Sequence, residues 1–182
     1  MPWGDVITKN NTLYLCVFDW PEDGVLRLPG LKTPVASAAL LRDGKVETLS
    51  VGGRNGWIEI AVTDTRPEPL VPVVTVTLEG VPEVDATHGV DPVATTSISA
   101  AFATAMGCDA DCRRWAEKFG EWKAMDQVTN WGDDATVTWE VDVFEPGEYC
   151  VELTYAGKER MEWRVETAAD DAVQNNQNAS HL

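Results

Sequence analysis

Apolar and polar residues alternate in short runs along this chain, Pro and Gly punctuate them, and almost no stretch keeps a 3.6-residue apolar stripe. The period-2 pattern predicts an all-β protein. In TLYLCVF, Thr12 to Phe18, Leu13, Leu15 and Val17 fall on one face and Tyr14, Cys16 and Phe18 on the other, so both faces read as buried and the run as a central strand. Further strands are expected at GVLRLP, VASAALL, VETLSV, WIEIAV and PVVTVTL. Turn residues at PEDG (Pro21 to Gly24), RDGK (Arg42 to Lys45) and GGRNG (Gly52 to Gly56) separate them. Short strands spaced about ten residues apart predict a sandwich.

The second half carries a longer alternation, ATVTWEVDVFEPGEYCVELTYAGKERMEWRVE. Ala135, Val137, Trp139, Val141 and Val143 share one face, with Thr136, Thr138, Glu140 and Asp142 on the other. A turn at EPGE (Glu145 to Glu148) returns Tyr149, Val151, Leu153 and Tyr155 to the inward face, and Met161, Trp163 and Val165 follow after AGKE. This predicts a three-stranded meander with one wet side and with Trp139 and Trp163 in a core. Between Leu78 and Val90 the text EGVPEVDATHG breaks the periodicity, so a joint is expected near Asp85. The expected architecture is two consecutive antiparallel β-sandwich modules, 1–85 and 86–182, the second incomplete at its C-terminus. CRRWAEKFGEWK reads as a short helix or an irregular segment, because Trp115, Phe119 and Trp122 recur at helical spacing while Gly120 weakens the pattern.

Charge narrows the choice of partners. The 182 residues hold 14 Lys and Arg against 30 Asp and Glu, a net charge of −16. Residues 1–85 contribute 7 basic and 12 acidic side chains (net −5), and 86–182 contribute 7 and 18 (net −11). Such a field opposes nucleic acid and anionic membranes, so neither is an expected partner. The apolar share of 44% is that of a folding chain rather than a disordered acidic one. No apolar run reaches the roughly 18 residues of a membrane span, and MPWGDVITKN lacks the features of a signal peptide.

Candidate chemistry is sparse. Cys16, Cys108, Cys112 and Cys150 are too scattered for a disulfide framework, and the Cys108/Cys112 pair has only His88 and His181 to complete a zinc site. No metal or other cofactor is expected. The same histidines sit in the expected linker and next to the last residue, poorly placed for a triad. Walker, GxGxxG and HExxH motifs do not occur. Glu140, Asp142, Glu148, Glu152, Glu162 and Glu166 fall on the polar side of alternating runs and read as a solvated face rather than a hydrolytic pair. The eight tryptophans are more informative, since rings can stack on sugars. With Trp139 and Trp163 assigned to a core, Trp20, Trp57, Trp115, Trp122 and Trp131 are the candidates for a surface platform, each as readily packed as exposed.

The opening residues carry a resemblance. Trp3-Gly4 with Thr8, Leu13-Tyr14-Leu15 with Val17, Trp20-Pro21 with Gly24, and Leu28-Pro29-Gly30-Leu31 occur in the order seen at the start of the C-terminal β-sandwich of α-L-fucosidases. Residues 1–80 resemble that sandwich. The second half, with EPGEYCVELTYAGK and QNNQNASHL, is similar to a carbohydrate-binding module that follows it in some bacterial relatives. The resemblance implies an upstream (β/α)8 barrel of the same polypeptide as partner, carrying both catalytic carboxylates of a retaining hydrolase. This chain contains no part of that barrel, so no catalytic residue transfers to it and it is expected to be inactive alone. Its ends imply an internal or truncated piece of a larger protein, and its compartment stays open.

Three readings follow. The chain is a non-catalytic part of an α-L-fucosidase that supports the barrel and contacts fucosylated or other glycans. Alternatively it is an independent carbohydrate-binding module, with Trp20, Trp57, Trp122, Trp131, Gln174, Asn175 and Gln177 as contacts, the amides able to donate and accept hydrogen bonds. The third reading is a purely structural β protein with every aromatic in a core.

Overall fold

The computed structural model describes residues 1–182 apart from 43–44, 64, 68–69, 86, 119, 121, 156–163 and 168–182. Strand β1 (Gly4–Lys9) and β2 (Thr12–Val17) form the first hairpin, with Lys9 opposite Thr12 and Asn10 in the left-handed region at φ 55°. Strands β3 (Val25–Leu28), β4 (Val35–Arg42), β5 (Lys45–Arg54), β6 (Trp57–Ala61) and β7 (Val73–Leu78) follow. In space the order is β1-β2-β7-β4-β5-β6-β3. Strand β5 makes the bend: its residues 45–49 pair with β4 and 50–54 with β6, so the seven-stranded sheet curls over itself. The chain is all-β, as the alternation predicts.

The curl closes on one core. Leu13, Leu15 and Val17 of β2, Val74, Val76 and Leu78 of β7, and Ala38 and Leu40 of β4 join Leu26 and Leu28 of β3 and Ile60 of β6. Each fully buried aliphatic side chain stabilises the fold by about 1.5–3 kcal/mol. Trp3 enters this core with its indole N–H donating to the Arg27 carbonyl at 3.1 Å. A Cβ on Gly4 would lie 2.0 Å from the Cys16 carbonyl oxygen, so the backbone approach that seats Trp3 excludes any side chain at position 4.

Strand β2 departs from its expected burial. Only the Leu13, Leu15, Val17 face is buried; Tyr14 and Cys16 are half-buried and Phe18 is exposed, because the core lies on one side of the sheet. The GGRNG turn is also narrower than expected. Strand β5 runs through Gly52 and Gly53, and the reversal falls on Asn55 and Gly56 alone, at φ 53° and 81°. Two successive left-handed residues match the twist of a two-residue hairpin.

Downstream, residues 83–85 lie along the Gly30 to Lys32 segment: Leu31 bridges Val84, and the Asp85 amide donates to the Gly30 carbonyl at 2.8 Å. Strand β8 (His88–Val90), a 3-10 turn at Ala100–Phe102, β9 (Thr104–Met106), β10 (Asp109–Ala116), β11 (Trp122–Thr129), β12 (Thr136–Thr138) and β13 (Val141–Val143) complete the described elements. Strands β10 and β11 pair as an antiparallel hairpin, which corrects the helical reading of CRRWAEKFGEWK. Register explains the error. Trp115 pairs with Lys123 and Trp122 with Ala116, so the two rings occupy opposite faces of the ribbon, and their helical spacing is coincidental.

The expected meander is likewise corrected. Its first run splits into β12, antiparallel to β9, and β13, parallel to β8. Ala135, Val137 and Trp139 are half-buried beside exposed Thr136, Thr138 and Glu140, as the alternation predicts, but Val141 and Val143 are exposed while Phe144 is buried, so the sides are reversed from β13 onward. Parity alone cannot tell which face meets the core. The chain forms two compact units, Met1–Glu145 and Pro146–Leu182, and Asp85 lies within the first. In the second, Tyr149, Val151 and Val165 are exposed rather than inward, and Met161 and Trp163 lie outside the described residues.

Candidate functional site

The outer face of the β3–β6 pair carries polar residues because the core takes the alternate positions. Leu26 and Leu28 point inward, so Arg27 points outward, opposite Glu59. Trp57 stands two residues from Glu59, on the same side. Residues 89–91 and 142–144 cover this face. Arg27 is 6% exposed and meets Asp23 at 2.6 Å, Glu59 at 3.5 Å and Asp91, also 6% exposed, at 3.6 Å. Its Nε and Nη1 make no hydrogen bond among the described residues, since the last two distances are those of ion pairs only. Burial works to lower the Arg27 pKa, but the Asp23 hydrogen bond and the charges of Asp91, Asp23 and Glu59 hold it above its ordinary value. The Phe144 ring lies under both arginines, 5.0 Å from Arg27 Cζ and 4.5 Å from Arg54 Cζ. A guanidinium that cannot release a proton, surrounded by acids it neutralises, is a clamp rather than an acid/base centre. The pattern VLRL holds the one signal that could have found it, a lone arginine inside an apolar strand.

Beside this clamp is an open cleft of about 400 Å³. Pro29, Val84 and Ile98 supply apolar surface, and Asp85, Thr87, His88, Thr95 and Ser97 supply polar groups. Asp85 is the single carboxylate in the lining, and Lys32 binds it at 2.5 Å, raising the lysine pKa through that hydrogen bond and charge. The His88 ring packs against Phe102 in a tilted arrangement with centroids 4.3 Å apart. Gly89 lets this wall approach Pro29 and Trp57 closely. A Cβ there would lie 2.5 Å from both Pro29 and Trp57.

The aromatics singled out from the sequence scatter over the first unit. Trp20 is half-buried against the core and donates to the Thr63 carbonyl at 2.8 Å. Trp57, 2% exposed, packs on Phe144 and donates to Asp142 at 2.6 Å, leaving no face for a sugar. Asp142, assigned to a solvated face, is therefore an internal acceptor. Trp139 is half-buried and donates to the Ser99 carbonyl. Trp131 is 38% exposed, with its N–H on the Val128 carbonyl, and Trp115 lies under Arg113. Trp122 stands apart at 77% exposure, on a ribbon face shared with Ala116, Ala124 and Arg114. On that face Ser99 Oγ donates to Asp126 at 2.7 Å, and this bond, followed by one from Cys112, holds the carboxyl below its usual range. Gln174, Asn175 and Gln177 lie outside the described residues.

All four cysteines are free thiols, and among the described residues no group of His, Cys, Asp and Glu is arranged to hold a metal ion. No described helix is long and apolar enough to cross a membrane. The chain matches no protein-family model and no curated protein.

Proposed function

We propose that this chain is a non-catalytic support module of a glycoside hydrolase of the α-L-fucosidase kind, associated with a (β/α)8 barrel of the same polypeptide. One observation carries the reading: Trp3, Leu13, Leu15, Val17, Leu28 and Leu31, six of the residues on which the resemblance rests, all belong to one buried core. Residues used that way specify a scaffold, not a reaction. The cleft lining adds a single, already paired carboxylate, whereas glycoside hydrolysis calls for two. Two experiments test the proposal. The purified chain should leave an aryl α-L-fucoside unhydrolysed, and the coding DNA upstream of Met1 should continue in frame into a barrel sequence. Turnover by the chain alone, or an upstream frame with no barrel, overturns it.

A second reading, glycan binding, is favoured by Trp122. A ring 77% exposed, flanked by two alanines and Arg114, leaves room for the C–H face of a sugar with a donor beside it. Fucosylated and galactosylated oligosaccharides should quench or shift the tryptophan emission. No change at millimolar ligand removes this reading and leaves the scaffold role.

A further inference from the structure

The cleft beside β8 has no part in the support role or in the Trp122 platform, and its chemistry selects a class of ligand. We propose that it binds a small neutral polyhydroxylated molecule, of the size of one sugar residue. Its volume, about 400 Å³, falls in the range of small-molecule sites. Charge decides the class. No described Lys or Arg side chain lines the cleft, where the Met1 terminus is a lone positive group and Lys32 is taken up by Asp85, so no cluster of cations is set to hold an anion. Asp85, the one carboxylate, is paired with Lys32 and does not favour a cation.

What remains is a set of hydrogen-bonding groups of mixed sense. The hydroxyls of Thr87, Thr95 and Ser97 both donate and accept, and the two ring nitrogens of His88 add further hydrogen-bonding positions. A polyol presents the same mixture at every carbon, whereas a purely apolar ligand would strand these groups without partners. Pro29 gives the apolar surface against which the C–H face of a pyranose can lie. The wall is also preorganised. The tilted Phe102 ring lies against the imidazole, and Gly89 fits closely between Pro29 and Trp57.

The test uses the full 182-residue chain, ¹⁵N-labelled and titrated with methyl α-L-fucopyranoside, methyl β-D-galactopyranoside and methyl α-D-glucopyranoside, with inorganic phosphate as the anionic counterpart. At least one glycoside should shift the amides of Thr87, His88, Thr95 and Ser97 saturably, and phosphate should not. His88→Ala and Thr95→Val should each weaken that binding about fivefold, the effect of one lost hydrogen bond. Thr95 is exposed, so its variant keeps the test valid if His88→Ala fails to fold. Trp122→Ala should leave the cleft response unchanged. The proposal is overturned by silent cleft amides with all three glycosides, by a response to phosphate alone, or by unaltered binding in folded variants. Shifts confined to the Trp122 ribbon would overturn the cleft site while supporting the glycan-binding platform.

Discussion

The indole N–H of Trp57 donates to the Asp142 carboxylate at 2.6 Å, across 85 positions of sequence. This bond ties the β3–β6 end of the curled sheet to β13. Trp57→Phe keeps an aromatic ring against Phe144 but removes the donor, leaving Asp142 without its partner. A loss of about 1–3 kcal/mol is expected, read as a lower urea midpoint at unchanged m-value.

Gly89 makes a sharper test of the same contact. The Cβ of Gly89→Ala would collide with Pro29 and Trp57, so β8 must move or the indole must leave its place. Overpacking of this kind costs about 1–3 kcal/mol. Thermal unfolding should show the loss, and Trp57 emission should move to longer wavelength if the indole is the part that yields.

Removing the Arg27 guanidinium strands Asp91 in a buried site. Arg27→Met should destabilise the fold by about 3–5 kcal/mol near neutral pH, since breaking a buried pair costs more than the pair contributes. Adding Asp91→Asn should recover part of the loss at neutral pH. Denaturant titrations at neutral pH check both statements.

Trp122→Ala separates surface from core. A residue so exposed should change stability by no more than about 0.5 kcal/mol. Any glycan-induced change in tryptophan emission should vanish with it. A large loss of stability would show that the ring is part of the packing.

Asp126 gives a pH signature. Its carboxyl is held low first by the Ser99 hydroxyl and then by Cys112, so the stabilisation from these bonds is complete above the ordinary value of 3.8. It is lost as pH falls through the lower folded-state value. Carboxyl NMR titration should therefore find Asp126 below 3.8, and Ser99→Ala should move it back toward 3.8.

Much of the fold was legible in the chain. The strands at Thr12–Val17, Trp57–Ala61 and Val73–Leu78 follow from their apolar runs, and in Val73–Leu78 the alternation also marks the buried face, whereas apolar residues on both sides of Thr12–Val17 hid that only Leu13, Leu15 and Val17 are buried. Strand β1 was not legible, because its residues after Gly4 are all exposed and leave no apolar period. At β10 and β11 a helical spacing of Trp115 and Trp122 competed with pairing partners that no local window contains. The clamp and the cleft were harder still to read, since Arg27, Asp91, Phe144 and His88 come from separate stretches and have no common motif.

The sequence by itself determined the all-β class, the strands of the first core and the acidic field, because alternation, turn residues and charge are local properties summed along the chain. Only the tertiary structure decided which side of Val141–Val143 faces inward, which tryptophan stands in solvent, and which acids meet an arginine. The physical reason is that period-2 alternation defines two faces without ranking them. Rank comes from what packs on each face, and here that is a segment more than sixty residues away in the chain, as Trp57 and Phe144 are.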